Sequence, residues 1–83
     1  DERLRSLVAF AAVGRETGNN LVLEDSTVSR RHGWLHVSGG DLWVQDAGST
    51  NGTFVNDQKL AAPAMLQPGD KVRVGQTIME LRR

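Results

Sequence analysis

Gly33-Trp34-Leu35-His36-Val37-Ser38-Gly39-Gly40-Asp41-Leu42-Trp43-Val44-Gln45 reads as two alternating apolar runs on either side of a Gly-Gly pair. Two adjacent glycines tolerate the positive φ that a two-residue hairpin turn requires, so the stretch predicts a β-hairpin. A two-residue period then fixes which side chains share a face. Leu35, Val37, Leu42 and Val44 point to the core, Trp34, His36 and Trp43 point away from it, and His36 stands opposite Trp43.

Outward from this hairpin, short apolar alternations recur between clusters of Gly, Asn, Asp and Pro, and helical periodicity is absent. That pattern is the signature of an all-β sandwich or barrel. The predicted strands are Leu4 to Val13, Asn20 to Leu23, Gly33 to Val37, Leu42 to Gln45, Thr53 to Val55, Lys71 to Val74 and Thr77 to Leu81. Gln67-Pro68-Gly69-Asp70 carries proline and glycine in the order a type II turn demands. It leads into a strand with Val72 and Val74 inward. In the last strand either Ile78 with Glu80 or Met79 with Leu81 faces the core.

The 83 residues suffice for one compact domain spanning 1–83, and the chain reads as a piece of a longer protein. Ten basic residues balance ten acidic ones, which disfavours nucleic acid as a partner and makes any anion site local. No cysteine is present, so disulfide and thiolate-metal chemistry are excluded and a reducing, cytoplasmic compartment fits. The apolar run Leu7 to Val13 falls far short of the roughly 20 residues that cross a bilayer. After Arg3 and Arg5, with Ala9-Phe10-Ala11 inside it, that run mimics a signal peptide, but it is better read as a first strand.

Three clusters between strands are rich in hydrogen-bond donors: Gly14-Arg15, Ser29-Arg30-Arg31-His32 and Gly48-Ser49-Thr50-Asn51-Gly52-Thr53. Loops on a rigid scaffold are where binding groups are displayed. Arg15 follows a glycine at a strand end, where a planar guanidinium can fork onto a phosphate; alone, it reads better as a solvated edge arginine. Ser29 to His32 joins a hydroxyl to two cations, a set suited to an anion. In an extended segment Ser29 and Arg31 would share one side and Arg30 and His32 the other, unless a turn intervenes. His32, close to a strand start, reads as a structural hydrogen-bonder. The Ser49 to Thr53 run closes with Asn51-Gly52, the dipeptide best suited to a tight turn, and by itself it is only that.

In order and spacing, Gly14-Arg15, Asn20-Leu21-Val22-Leu23, Val28-Ser29-Arg30-Arg31-His32, Asp46-Ala47-Gly48-Ser49-Thr50-Asn51-Gly52-Thr53-Phe54-Val55-Asn56, Leu66 with Gly69-Asp70, and Val74-Gly75 closely resemble the forkhead-associated (FHA) domain family. The resemblance runs from about Val13 to Leu81. It implies a twisted antiparallel β-sandwich of two sheets with a loop-built peptide site at one end. It implies, too, recognition of a phosphothreonine-containing protein or peptide, the product of a Ser/Thr kinase, by a monomeric signalling module without cofactor. By motif position, Arg15, Ser29 and Arg30 would meet the phosphate with help from Thr50, and Asn51 would hold the peptide backbone. Gly14, His32 and Gly52 would shape the loops, while Arg31 has no firm assignment. A phosphate carries about −1.5 to −2 charges and three acceptor oxygens, which arginine and hydroxyl donors match. Two or three charge-assisted bonds at roughly 1.5 to 3 kcal/mol each separate phosphorylated from unphosphorylated ligand by orders of magnitude.

The chain departs from the family pattern at two places. Asp57 stands where a glycine usually follows the Val-Asn pair. The stretch before Gly14 is short for the two strands and loop usually found there, which leaves either a clipped hairpin or missing residues. Other functions fare worse. A hydrolase triad of Ser29, His32 and one of Asp25, Asp41, Asp46 or Asp70 lacks a nucleophile elbow and an oxyanion hole. Two histidines without clustered acids give no metal-ligand spacing. Trp34 and Trp43 make either a second interaction face or a cover for their own strands. The main rival is an FHA scaffold that binds its partner without phosphate.

Overall fold

In the computed structural model, which describes residues 10–81, nine strands form two sheets. They are β1 (Phe10–Gly14), β2 (Leu21–Val22), β3 (Gly33–Ser38), β4 (Asp41–Asp46), β5 (Thr53–Val55), β6 (Gln58–Lys59), β7 (Ala64–Leu66), β8 (Lys71–Val74) and β9 (Thr77–Glu80). The five-stranded sheet has the order β2-β1-β3-β4-β7 and the four-stranded sheet the order β6-β5-β8-β9.

The Gly-Gly hairpin forms with the expected register. Leu35 pairs with Val44, His36 with Trp43 and Val37 with Leu42, and Gly39 and Gly40 take φ of 62° and 83°. The imidazole of His36 lies nearly parallel to the Trp43 ring, at an interplanar angle of 19°. The two rings thus cover each other on the outer face of their own hairpin. At the second turn Asp70 donates its N–H to the Gln67 carbonyl and Gly69 has φ of 93°, as the type II geometry requires.

Val28, Val44, Leu66, Val72 and Val74 are buried between the sheets, with Leu35, Leu42 and Met79 packed against them. The open choice in β9 resolves to Met79 and Leu81 inward, for Ile78 is 62% exposed. Val28 is a loop residue, so its near-complete burial pins the segment between β2 and β3 to the core. At about 25 cal/mol per Å² of apolar surface, a fully buried valine stabilises that anchorage by roughly 1.5 to 3 kcal/mol.

The structure corrects the sequence reading in two places. The sandwich is not wholly antiparallel: β2 runs parallel to β1, with Val13 opposite Leu21 and Gly14 opposite Val22. The chain turns back at Glu16 to Asn19, and the Asn20 side-chain oxygen accepts the Ala12 N–H, which sets β2 alongside β1. Strands β6 and β7 were not foreseen, because Gln58-Lys59 is short, polar and exposed and the stretch into Ala64 has no alternation. The expected first strand is seen only from Phe10; Leu4 to Ala9, and with them the question of a clipped hairpin, lie outside the described residues. The Asn56-Asp57 turn survives without its glycine. Both residues adopt left-handed φ, 48° and 68°, and the Asn56 side chain accepts the Lys71 N–H and donates to Asp70.

Candidate anion and peptide site

Three loops converge at the end of the sandwich where β1 and β4 finish and β3 and β5 begin: Arg15 to Asn20, Leu23 to His32 and Ala47 to Gly52. The first leaves β1 at Gly14, which is buried against the second loop; a Cβ there would collide with the Arg30 carbonyl oxygen, so only glycine permits the approach. Arg15 donates its backbone N–H to the Ser29 carbonyl at 3.0 Å and its Nε to the Val28 carbonyl at 3.1 Å. This bond uses Nε alone, so the two terminal amino groups of the guanidinium keep donors beyond the one that grips Val28. Asn19 completes the junction by donating its side-chain amide to the carbonyls of Glu16 and Arg30, each at 2.8 Å.

His32 ties the second loop to the third. It is 1% exposed, its Nδ1 accepts the Ser29 N–H at 3.0 Å, and its Nε2 lies 2.9 Å from the Gly52 carbonyl. Because Nδ1 is an acceptor, the proton sits on Nε2 and is donated to Gly52. The His32 backbone adds a bond to the Val13 carbonyl and another from the Ala47 N–H, so one buried residue links β1 and both loops.

Asp46 builds the third loop from below. Its carboxylate accepts the N–H groups of Gly48 and Ser49, the Ser49 hydroxyl at 2.5 Å and the Thr53 hydroxyl at 2.6 Å. Burial pushes the Asp46 carboxyl up, but these hydrogen bonds from Ser49, Thr53 and Gly48 outweigh it and hold the group below its ordinary value. The Ser49 hydroxyl in turn accepts the Gly52 N–H. With this loop so held, Thr50 donates its N–H to the Ser29 hydroxyl oxygen at 3.0 Å, and Asn51 donates its side-chain amide to the Thr27 carbonyl at 2.8 Å.

Asp25 does the same for the second loop. It accepts the Thr27 hydroxyl at 2.6 Å and the Thr27 N–H at 2.9 Å, and reaches across to the Thr77 hydroxyl and the Gln76 N–H. The Thr27 hydroxyl and N–H and the Thr77 hydroxyl draw its carboxyl down to about 2. Gly75 lets this crossing form: its φ is 61° and a Cβ would run into the Thr27 side chain.

Arg15, Ser29, Thr50 and Asn51 are therefore joined through three loops, and Gly14, His32 and Gly52 lie buried where they support them. Arg30 is exposed next to Ser29. Arg31 turns aside: its Nε is 3.5 Å from the Glu16 carboxylate, with both side chains exposed to solvent, so the pair contributes little. The extended alternation considered for Ser29 to His32 fails because the chain bends there, as the Ser29 N–H to His32 ring bond requires. Sequence reasoning missed Asp25, Asp46, Asn19 and Gly75 as builders. The two aspartates were legible: each precedes a hydroxyl residue by two or three positions, the spacing of a side chain that caps its own turn.

Donor-rich loops held together at one end of a β-sandwich define the class of this domain. The family follows from comparison. The FHA domain model matches residues 12–75, and the chain belongs to the FHA domain family. It is 40% identical over 70 residues to the FHA domain-containing protein FhaB of Mycolicibacterium smegmatis, covering 84% of this chain and 45% of that one. The chain thus spans less than half the length of this relative. Among solved structures it resembles one from a structural and functional analysis of phosphothreonine-dependent FHA domain interactions, with TM-score 0.84 and 32% identity over 90% of this chain and 77% of that one. It also resembles Mycobacterium tuberculosis EmbR in complex with a low affinity phosphopeptide, with TM-score 0.85 and 27% identity over 89% of this chain and 20% of that one.

Proposed function

We propose that this chain is a phosphothreonine-dependent interaction domain, one module of a longer polypeptide, that recognises a phosphorylated segment of a partner protein. The observation that carries the reading is the Ser29–Thr50 hydrogen bond beside the anchored Arg15, which sets a hydroxyl and a guanidinium on one rigid frame. In this reading Arg15, Ser29 and Arg30 bind the phosphate, Thr50 assists, and Asn51 holds the peptide backbone. Gly14, His32 and Gly52 keep the loops in place. Both nitrogens of His32 are engaged with backbone groups, which leaves no base for the Ser29 hydroxyl and supports binding without catalysis. The absence of cysteine supports a cytoplasmic setting.

Calorimetric titration with one peptide in phosphorylated and unphosphorylated form tests this. Binding only of the phosphorylated form is expected. Equal binding of both would replace the reading with a scaffold that docks independently of phosphate.

A further inference from the structure

Lys and Arg are unevenly placed among the described residues. Arg15, Arg30 and Arg31 lie on the site loops, while Lys59, Lys71 and Arg73 lie on strands of the four-stranded sheet; the strands of the five-stranded sheet carry none. Thr53, Val55, Val72 and Val74 face the core, so Phe54 and Arg73 between them face outward. The registers Phe54↔Lys59, Phe54↔Arg73 and Arg73↔Ile78 align Lys59, Phe54, Arg73 and Ile78 in one row across the outer face of this sheet. The Arg73 guanidinium lies 4.0 Å from the centre of the Phe54 ring, and Ile78 is 62% exposed.

This row has no acid in it; Glu80 stands two pairs further on, opposite Lys71. A cleft of about 420 Å³ beside it is lined by Asn56, Asp57, Lys71, Arg73 and Ile78. The row is continuous with the candidate site. Phe54 is two residues along the chain from Gly52, about 7 Å at the rise of a strand. The Lys59 stem packs under Gly52, where a Cβ would come within 2.9 Å of Lys59 Cε. Arg73 donates Nη1 to the carbonyl of Gly75, the residue packed against Thr27.

We infer that the Lys59–Phe54–Arg73–Ile78 row is a second contact surface that receives an acidic stretch of the same chain whose phosphothreonine occupies the loop site. The inference rests on the phosphothreonine reading and extends it to the partner's flanking sequence. Cations placed beside an aromatic and an exposed aliphatic side chain match a segment that alternates carboxylates with apolar residues. An extended peptide covers about 3.3 Å per residue, so acids from roughly the third residue outward from the phosphothreonine reach the row.

The test uses phosphothreonine peptides with a neutral Gly-Ser tail, or a tail of alternating Glu and Leu on the N-terminal or C-terminal side, titrated by fluorescence anisotropy at low and high salt. An acidic tail on one side is expected to tighten binding about three- to tenfold at low salt and less at high salt. In Lys59→Gln/Arg73→Gln the gain should vanish while the neutral-tail peptide binds as before. In Lys59→Glu/Arg73→Glu, checked for folding by thermal unfolding, a Lys-Leu tail should become the preferred one. No gain from either acidic tail, or a gain that persists in the folded double variants, overturns the inference and leaves the phosphothreonine reading standing. Failure of the wild-type domain to bind even the neutral-tail phosphopeptide would instead overturn that reading, and the inference with it.

Discussion

Thr50 donates its backbone N–H to the hydroxyl oxygen of Ser29 at 3.0 Å, joining two loops that are 21 residues apart in sequence. The bond uses Ser29 as an acceptor, so its own O–H remains to be donated outward. Ser29 thus orients the third loop, and in the proposed function it also offers a donor to the ligand.

Ser29→Ala removes both, whereas Asn51→Ala removes the amide that grips Thr27 and would meet a peptide. Ser29→Ala is expected to weaken free phosphate and phosphopeptide alike. Asn51→Ala is expected to weaken phosphopeptide binding and spare free phosphate. Competition by inorganic phosphate against a labelled peptide separates the two; equal loss of both ligands in Asn51→Ala would remove its peptide role.

His32→Ala is expected to cost stability before affinity. The substitution leaves the Ser29 N–H and the Gly52 carbonyl without their ring partners and opens a void at a site that is 1% exposed. Buried unsatisfied groups cost about 1 to 3 kcal/mol each, so unfolding should become easier by about 2 to 4 kcal/mol. Denaturant unfolding measures it. A variant of undiminished stability that binds nothing would make His32 a direct ligand group.

Acid should separate binding from folding. The carboxyls of Asp25, Asp46 and Asp70 are all held below the ordinary value, Asp25 at about 2. Asp70 is lowered by the Gln67 N–H and the Asn56 side-chain amide. A carboxyl with a depressed folded pKa contributes stability that is fully present above its unfolded value near 3.9 and is lost as pH falls through the folded value. Stability should therefore hold down to about pH 5 and fall between about pH 4 and 2. Phosphate loses its second charge near pH 6, so peptide affinity should already drop between about pH 7 and 5. Circular dichroism and titration over the same buffers check the order. Asp25→Asn should flatten the acid limb of the stability curve and leave the affinity profile in place.

Phosphothreonine is expected to bind better than phosphoserine at the same peptide position. The phosphate contacts are common to both, so discrimination rests on burial of one methyl group, worth roughly 0.8 kcal/mol, and on the restricted rotamers of a β-branched residue. A several-fold preference in paired titrations is the expected result. Equal affinities would mean that no methyl pocket lies between the Ser29 and Asn51 loops.

The parts legible in the sequence were those that local chemistry specifies. Gly39-Gly40 determined the hairpin and its register, and Gly69 the type II turn, because each position demands a positive φ. Site residues emerged only jointly, through the ordered motifs; singly, Arg15 or the Ser49 to Thr53 run was an ordinary surface feature. What was missed depends on tertiary placement. Strand β7 pairs with β4 through only Ala64, Met65 and Leu66, too short a run to show a period. Gly75 is required because Thr27 lies against it across the sandwich, a contact that no local pattern encodes. Arg31 shares the composition of the site, yet in the folded chain it lies beside Glu16, a proximity that no local pattern encodes.

Arg15 grips the Val28 carbonyl through Nε, and the proposed function assigns the rest of its guanidinium to the phosphate. The most direct test titrates wild type and Arg15→Ala with one phosphothreonine peptide and its unphosphorylated form, with thermal unfolding measured alongside. Arg15 is exposed, so the variant should remain folded and lose at most about 1 kcal/mol of stability. Its affinity for the phosphorylated peptide should fall by about 2 to 4 kcal/mol and approach that of the unphosphorylated form. A folded Arg15→Ala domain that binds the phosphopeptide as tightly as wild type would contradict the account.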